Sequence, residues 1–371
     1  MNKLAVTALS MAAATGLAAT TAQDQAYLAI LAETKLMKMV GMPEMPELPE
    51  GIMLPDVPGM PAMPGKASRS LTVRLWSPSI APAGATATLI PPKGLLLGDK
   101  LDLELYRPKP TETGSEGGQG FDPDKMSEFT IKMYWGSSET VREGQPKVFS
   151  WKTLTPEQKA EMQKRAREAQ NSSSYFYKPN WTTGYWPTSK QPGKIANNAS
   201  LVGTYTLNTS YTGSVSVDAP ANVEFLPAIE MSSPNLSKKI AFDKFIPFEW
   251  APVTGALGQY ASIMGMEGQN TLILWSSSEN FKEHLMGDQG FLQMAEVRQH
   301  VADNVFMPPT TTKVTVPAGI FKNADMAMLN MVAYGSGSAL EKGQPLPRIQ
   351  TKSTLNIMLG GKQMNFDMDD E

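Results

Sequence analysis

The stretch FEWAPVTGALGQY at 248–260 carries the clearest fold signal in this chain. Apolar and polar residues alternate up to Trp250, Gly255 suits a tight turn, and a second run leads to Tyr260. Large aromatic side chains at such strand positions typically fill the core between two packed sheets. The stretch therefore predicts two half-buried strands joined by a turn, with Trp250 and Tyr260 in an inter-sheet core.

Two later segments extend this pattern, TTKVTVP at 311–317 and MLNMVAY at 328–334. Together with the strand tryptophan and the Val-x-Gly-Ala turn, they resemble a fibronectin type III domain over 225–360. The resemblance implies a β-sandwich, which we place at 223–360. The chain departs from that family at 280–307, where a helix is predicted from Phe291 to Val305.

The first half also alternates with a period of two, which predicts strands. Apolar residues recur at every second position in LTVRLW at 71–76, in LDLEL at 101–105 and in FTIKM at 129–133. We therefore expect a second, N-terminal β-sandwich domain at 68–222. Within it a polar helix is predicted at 155–170, because Thr155 and Gln158 form a capping box.

A short repeat links the two halves: IKMYWGSSE at 131–139 and LILWSSSE at 272–279. Each is a strand that ends in tryptophan and is followed by a Ser-Ser-Glu tail. The tails could build two equivalent ligand sites, or each tryptophan could close the end of a core while the tail forms turns. These signatures also resemble an uncharacterised group of exported proteobacterial proteins, and this resemblance implies no activity.

Residues 1–22 are typical of a secretory signal peptide. Lys3 supplies a positive charge, an apolar Ala-rich stretch follows, and small residues end at Ala22. The sequence thus predicts a periplasmic or secreted protein. Residues 23–67 are predicted to form a short helix, at 24–40, and a disordered Met/Pro-rich linker, and residues 361–371 an acidic tail.

Composition excludes several functions. The 371 residues include no Cys, which removes disulfides and thiolate chemistry, and the formal net charge is −3. That charge gives no reason to expect a nucleic acid as partner, and after cleavage of the signal no segment is predicted to cross a membrane.

Catalysis by histidine would have to use His284 or His300, since the chain has two histidines. No metalloprotease, nucleophile-elbow or phosphate-loop motif accompanies them. We therefore expect a non-catalytic protein and assign no catalytic residue, with a secreted hydrolase as one alternative.

The aromatic run YFYKPNWTTGYW at 175–186 is the first candidate binding site. Aromatic rings beside hydroxyl and amide groups can hold a sugar face or an extended peptide. The candidate ligand-binding residues are Tyr177, Trp181, Tyr185 and Trp186, and the candidate partners are a polysaccharide or another envelope protein. The alternative is a loop whose rings pack onto the sandwich.

The Met-rich segment at 37–63 is the second candidate. Clustered thioethers suit Cu(I), a soft cation that prefers soft sulfur ligands. The candidate ligands are Met37, Met39, Met42, Met45, Met60 and Met63. The alternative is a Met-Pro spacer with no metal, and on that interpretation the protein needs no cofactor.

The sequence as a whole predicts a mostly β protein with two sandwich domains. The function that it favours is a non-catalytic binding or structural protein of the cell envelope or the extracellular space. A periplasmic Cu(I)-binding protein is the first alternative.

Overall fold

The fold is described from a computed structural model over residues 26–41, 65–107, 129–160, 181–282 without 192 and 194, 290–339 and 348–361. Three of the predicted segments fall outside these ranges. They are the signal peptide at 1–22, the Met/Pro-rich linker over 42–64 and the acidic tail beyond 361. Across the described residues the chain is mostly β, as the sequence predicts.

Most strands belong to one long sheet. Its eleven strands are β1 (Tyr27–Met39), β2 (Ser68–Ser77), β5 (Glu104–Tyr106), β6 (Thr130–Trp135), β7 (Lys147–Ser150), β8 (Thr182–Trp186), β13 (Ala256–Glu267), β14 (Thr271–Ser276), β16 (Met326–Gly335), β17 (Ser338–Ala339) and β18 (Arg348–Gly360). In the order β5-β8-β2-β1-β18-β16-β13-β14-β6-β7, neighbouring strands are hydrogen-bonded, and β17 pairs with β18.

Two smaller sheets complete the strand set of the described residues. The first contains β3 (Ala87–Ile90), β4 (Leu101–Asp102), β9 (Gly203–Thr209) and β10 (Gly213–Ala219). The second contains β11 (Met231–Ser233), β12 (Ile246–Trp250) and β15 (Lys313–Val316).

Both small sheets pack on the same face of the long sheet. On β1, Leu28 and Ile30 belong to the core beneath the four-stranded sheet, and Leu36 belongs to the core beneath the three-stranded sheet. These three residues are an even number of positions apart, so their side chains share one face of the strand. We call this the inner face of the long sheet, and the opposite side its outer face.

The long sheet takes strands from both sides of the predicted domain boundary at residue 222. Strands β6 and β7 precede that boundary, yet β6 pairs in parallel with β14 of the second half. Strand β1 likewise pairs in parallel with the last strand, β18. The boundary therefore does not divide the sheet.

The helix predicted at 24–40 is wrong, because Tyr27–Met39 form β1, which lies between β2 and β18. Leu28, Ile30 and Ala32 are buried at a period of two, and both strand edges are hydrogen-bonded. A chain shortened to begin at Ser68 would therefore lose a strand from the middle of the sheet.

The helical insertion predicted within 280–307 covers part of the outer face. Helix α1 (Met294–Ala302) begins with a capping box formed by Gln293 and Glu296. It approaches β13 so closely that a Cβ atom at Gly258 would lie 2.7 Å from a methyl of Val301. The predicted polar helix also begins as expected, with a capping box at Thr155 and Gln158 and helical residues 156–160; its remainder lies outside the described ranges.

Trp250 and Tyr260 are both buried, as predicted, but they lie against opposite faces of the long sheet. Trp250 lies in the inter-sheet core, whereas Tyr260 packs under α1 with Val297 and Phe306. The period of two on β13 explains this, because Ala261 and Ile263 take the inner face and Tyr260 takes the outer one. The inter-sheet position predicted for Tyr260 is therefore wrong.

In the ranges described above, no helix is long and apolar enough to span a bilayer.

Candidate functional site

Aromatic side chains gather on the outer face where β5, β8, β2 and β1 lie side by side. Tyr27 on β1 is directly opposite Trp76 on β2, and Trp76 is opposite Thr183 on β8. Residues directly opposite one another on paired strands point to the same face, so the rings collect on one side. We call this set the aromatic patch; its members are Tyr27, Trp76, Tyr106, Trp181 and Tyr185.

Two contacts organise the aromatic patch. The rings of Tyr27 and Trp181 stack with centroids 5.4 Å apart and planes 12° apart. The Arg74 guanidinium lies 5.9 Å from the centroid of the Tyr185 ring, within the range of a cation–π contact. Tyr106 at the end of the patch is 60% exposed. The patch thus combines ordered rings with accessible aromatic surface.

Polar groups border these rings on the same face. Tyr185 lies between Arg74 on β2 and Glu104 on β5, its directly opposite partners. Thr72 and Thr183 are half-buried on the same side of the sheet. Such a surface can stack on the apolar face of a sugar ring and hydrogen-bond its hydroxyl groups at the edges.

Of the four residues predicted to bind ligand, the structure brings Trp181 and Tyr185 together. Trp186 points to the inner face and is 1% exposed, so it packs in the core beneath the four-stranded sheet. Tyr177 lies outside the described residues. Sequence reasoning missed Tyr27, Trp76 and Tyr106, because only the strand register places them beside the aromatic run.

The two Ser-Ser-Glu tails form one joint instead of two equivalent sites. Strands β6 and β14 are parallel neighbours, so both tails leave the sheet at the same end. Glu279 accepts hydrogen bonds from the Ser137 backbone N–H at 2.9 Å and from Arg142 at 2.7 Å. The indole N–H of Trp275 donates to the Gly136 carbonyl oxygen at 3.1 Å.

A small pocket of about 160 Å³ opens at this joint, lined by Ser137, Ser277, Glu279 and Lys313 among others. Its two serine hydroxyls accept backbone hydrogen bonds, Ser137 from the Thr315 N–H and Ser277 from the Ala261 N–H. These bonds indicate a structural role for both serines.

The ionised form of Glu279 is favoured at this joint. Burial by itself would raise the pKa of Glu279, but the Arg142 and Ser137 hydrogen bonds, with the Arg142 charge, outweigh it. The net result is a pKa below the usual value for glutamate. The carboxylate thus links the tails of β6 and β14 in its charged form.

The other predicted candidates are placed as follows. His300 lies on α1 with its ring 4.7 Å from that of Phe306, and His284 lies outside the described residues. Met37 and Met39 lie two positions apart on β1, half-buried on the outer face, whereas Met42, Met45, Met60 and Met63 lie outside the described residues. Where side chains are described, no three His, Asp or Glu residues are grouped to hold a metal ion.

No model of a protein family matches the chain, and no curated protein matches it significantly in sequence. The aromatic patch therefore provides the structural basis for assigning a function.

Proposed function

We propose that this chain is an exported, non-catalytic protein of the cell envelope or the extracellular space that binds polysaccharide on its aromatic patch. The observation that carries the proposal is the ordered Tyr27–Trp181 stack beside Tyr185 and Arg74 on a half-exposed sheet face. Aromatic rings that serve only packing are normally covered, as Trp186 is on the inner face.

The dimensions of the patch suit an extended chain more than a compact ligand. It crosses four strands spaced about 4.8 Å apart, which gives a length on the order of 15 Å. It lies on a sheet face, and Arg74 and Glu104 place opposite charges on either side of Tyr185. Neutral sugar units fit such a surface better than a strongly charged polymer does.

The proposal also includes a fibronectin-like sandwich in the second half of the chain and export from the cytoplasm. Strands β14-β13-β16-β18 form an antiparallel layer opposite β11-β12-β15, and seven strands in two layers support a fibronectin-like sandwich at 223–360. The resemblance to exported proteobacterial proteins supports a location outside the cytoplasm.

Replacement of Trp181 by alanine tests the binding function. We expect retention on insoluble cell-wall polysaccharide to fall at least tenfold, about 1.4 kcal/mol, because a ring that contacts the sugar is lost. The melting temperature should change by only a few degrees, since the side chain is half-buried. Pull-down of the purified protein on peptidoglycan and exopolysaccharide preparations, with a thermal melt, measures both.

Phe245→Ala is the matched control, because Phe245 is 42% exposed and lies outside the aromatic patch. It should leave retention unchanged. Equal retention of the Trp181→Ala protein and the unaltered protein, or no retention of the unaltered protein on either material, would contradict the proposal.

Export predicts a processed N-terminus. When the full chain is expressed in a bacterium with a periplasm, N-terminal sequencing of the protein from the periplasm or medium should give Gln23 as the first residue, because cleavage is expected after Ala22. An unprocessed chain that remains in the cytoplasm would contradict the exported location.

A further inference from the structure

Methionines lie in register across the outer face of the long sheet, in a region separate from the aromatic patch. Met39 on β1 is directly opposite Met358 on β18, Met358 is opposite Met328 on β16, and Met328 is opposite Met264 on β13. We call these four residues the methionine row. Four strands that are far apart in sequence thus place thioethers side by side on one face.

Three further methionines extend the row along the strands. Met37 lies two positions before Met39, and Met326 and Met266 are opposite each other, two positions from Met328 and Met264. Met264 and Met326 are 42% and 41% exposed. Solvent can therefore reach this surface.

The inner face of the same strands is packed mainly with aliphatic residues next to the row, and Met331 on β16 is also buried there. The buried inner positions next to the row include Val40 just after β1, Ile357 on β18, Leu329 on β16 and Ile263 on β13. Next to the row, the inner face thus carries aliphatic residues, while the outer face carries a thioether on each of the four strands; the outer position opposite Met264 on β14 is Leu274. Burial of apolar surface does not account for that difference, because leucine would serve it equally.

We propose that the methionine row binds Cu(I). Directly opposite side chains have Cβ atoms about 5 Å apart, and methionine has three rotatable bonds, so neighbouring sulfur atoms can converge on one ion. Thioethers are neutral and soft, which suits Cu(I) and disfavours hard cations.

The residues around the methionine row suit a soft metal ion such as Cu(I). Two positions along the strands from the row, the outer face carries a first flanking set of uncharged residues, Asn356, Asn330 and Ser262. The Asn330 side-chain amide donates a hydrogen bond to Asn356 Oδ1 at 2.9 Å. Two positions from the row in the opposite direction, the second flanking set contains Met326 and Met266. Neither flanking set contains a carboxylate that would attract Ca²⁺ or Mg²⁺.

This site differs from the metal site predicted from sequence. The Met-rich segment at 37–63 predicts partners for Met37 and Met39 from the linker. The sheet register instead supplies Met39 with methionine partners from β18, β16 and β13, more than 200 residues away along the chain.

A double substitution, Met328→Leu with Met358→Leu, tests the site. Leucine keeps the volume and the apolar character but removes the sulfur, so the fold should be retained. We expect the unaltered protein to withdraw Cu(I) from a chromophoric Cu(I) chelator under anaerobic conditions, and the double variant to bind at least tenfold more weakly. Circular dichroism confirms the fold of each protein.

Two matched controls make the test specific. Met331→Leu changes a buried methionine on the inner face of β16, so it should bind Cu(I) like the unaltered protein. Replacement of Met42, Met45, Met60 and Met63 by leucine should also leave the affinity unchanged. Absence of Cu(I) binding by the unaltered protein, an equal loss in the Met331→Leu control, or a loss confined to the linker variant would overturn the proposal. None of these results bears on polysaccharide retention.

Discussion

Trp250→Ala should lower the free energy of unfolding by about 3–5 kcal/mol, the range for loss of a buried large aromatic side chain. Trp250 is 3% exposed at the end of β12, the middle strand of the three-stranded sheet. Its ring fills the core between that sheet and the long sheet. Truncation leaves a cavity that the two layers cannot close by small shifts.

A buried hydrogen-bond network adds to this cost. The Trp250 indole N–H donates to Gln259 Oε1 at 2.8 Å, and Gln259 is fully buried. The Gln259 amide donates in turn to the carbonyl oxygens of Pro309 at 3.1 Å and Thr311 at 2.8 Å. Without the indole, Gln259 Oε1 loses its donor in a buried site, which is unfavourable.

Urea denaturation measures the change. Phe245→Ala, at a 42% exposed position just before β12, is the control and should alter stability by about 0.5 kcal/mol or less. If Trp250→Ala were no more destabilising than this control, the core between the two sheets would be assigned incorrectly.

The strands around Trp250 and Tyr260 were predictable because their signal is local. Alternation at 248–250 and 328–334, with a glycine turn between strands, specifies strands without knowledge of their partners. Alternation does not specify which of the two sets of alternate residues points to the inner face of the sheet and which points to the outer face. Tyr260 was therefore expected in the inter-sheet core and is instead buried under α1.

Strand β1 was mispredicted because its apolar residues fit two periods. Leu28 and Leu31 are compatible with a helix, and Leu28 with Ile30 and Ala32 is compatible with a strand. The long-range pairing decides, because β1 gains a full set of partners on β18, more than 300 residues away. No local pattern contains that information.

The candidate sites could likewise be predicted only where their residues are close together in sequence. The aromatic run at 175–186 indicates part of the aromatic patch, because it concentrates rings within one segment. Tyr27 and Trp76 are single aromatic residues in their own segments, and the methionine row takes one residue from each of four strands. Such residues come together only through the sheet register.

A buried ion pair between β1 and β18 gives the second large stability prediction. Glu33 is directly opposite Lys352, and Lys352 Nζ lies 3.6 Å from Glu33 Oε1, with side chains 11% and 6% exposed. The Thr354 hydroxyl donates to Glu33 Oε1 at 2.7 Å. Lys35 Nζ lies 3.3 Å from Glu33 Oε2, but its own side chain is 48% exposed.

Lys352→Met should therefore cost about 3 kcal/mol, near the lower end for removal of one partner from a buried pair, since Lys35 still offsets part of the Glu33 charge. The double variant Glu33→Gln with Lys352→Met should recover at least about 1 kcal/mol relative to the sum of the two single changes, because no uncompensated charge remains. Urea denaturation of the four proteins completes the cycle.

Lys313 and Glu249 provide the matched comparison. Their Nζ and Oε1 atoms lie 2.8 Å apart, closer than in the β1–β18 pair, but the side chains are 60% and 44% exposed. Lys313→Met should cost at most about 1 kcal/mol, as for other surface pairs. Strictly additive effects at Glu33 and Lys352 would show that the carboxylate depends on Thr354 and Lys35 instead. A coupled effect would establish that a charge pair inside the sheet fixes the first described strand beside the last.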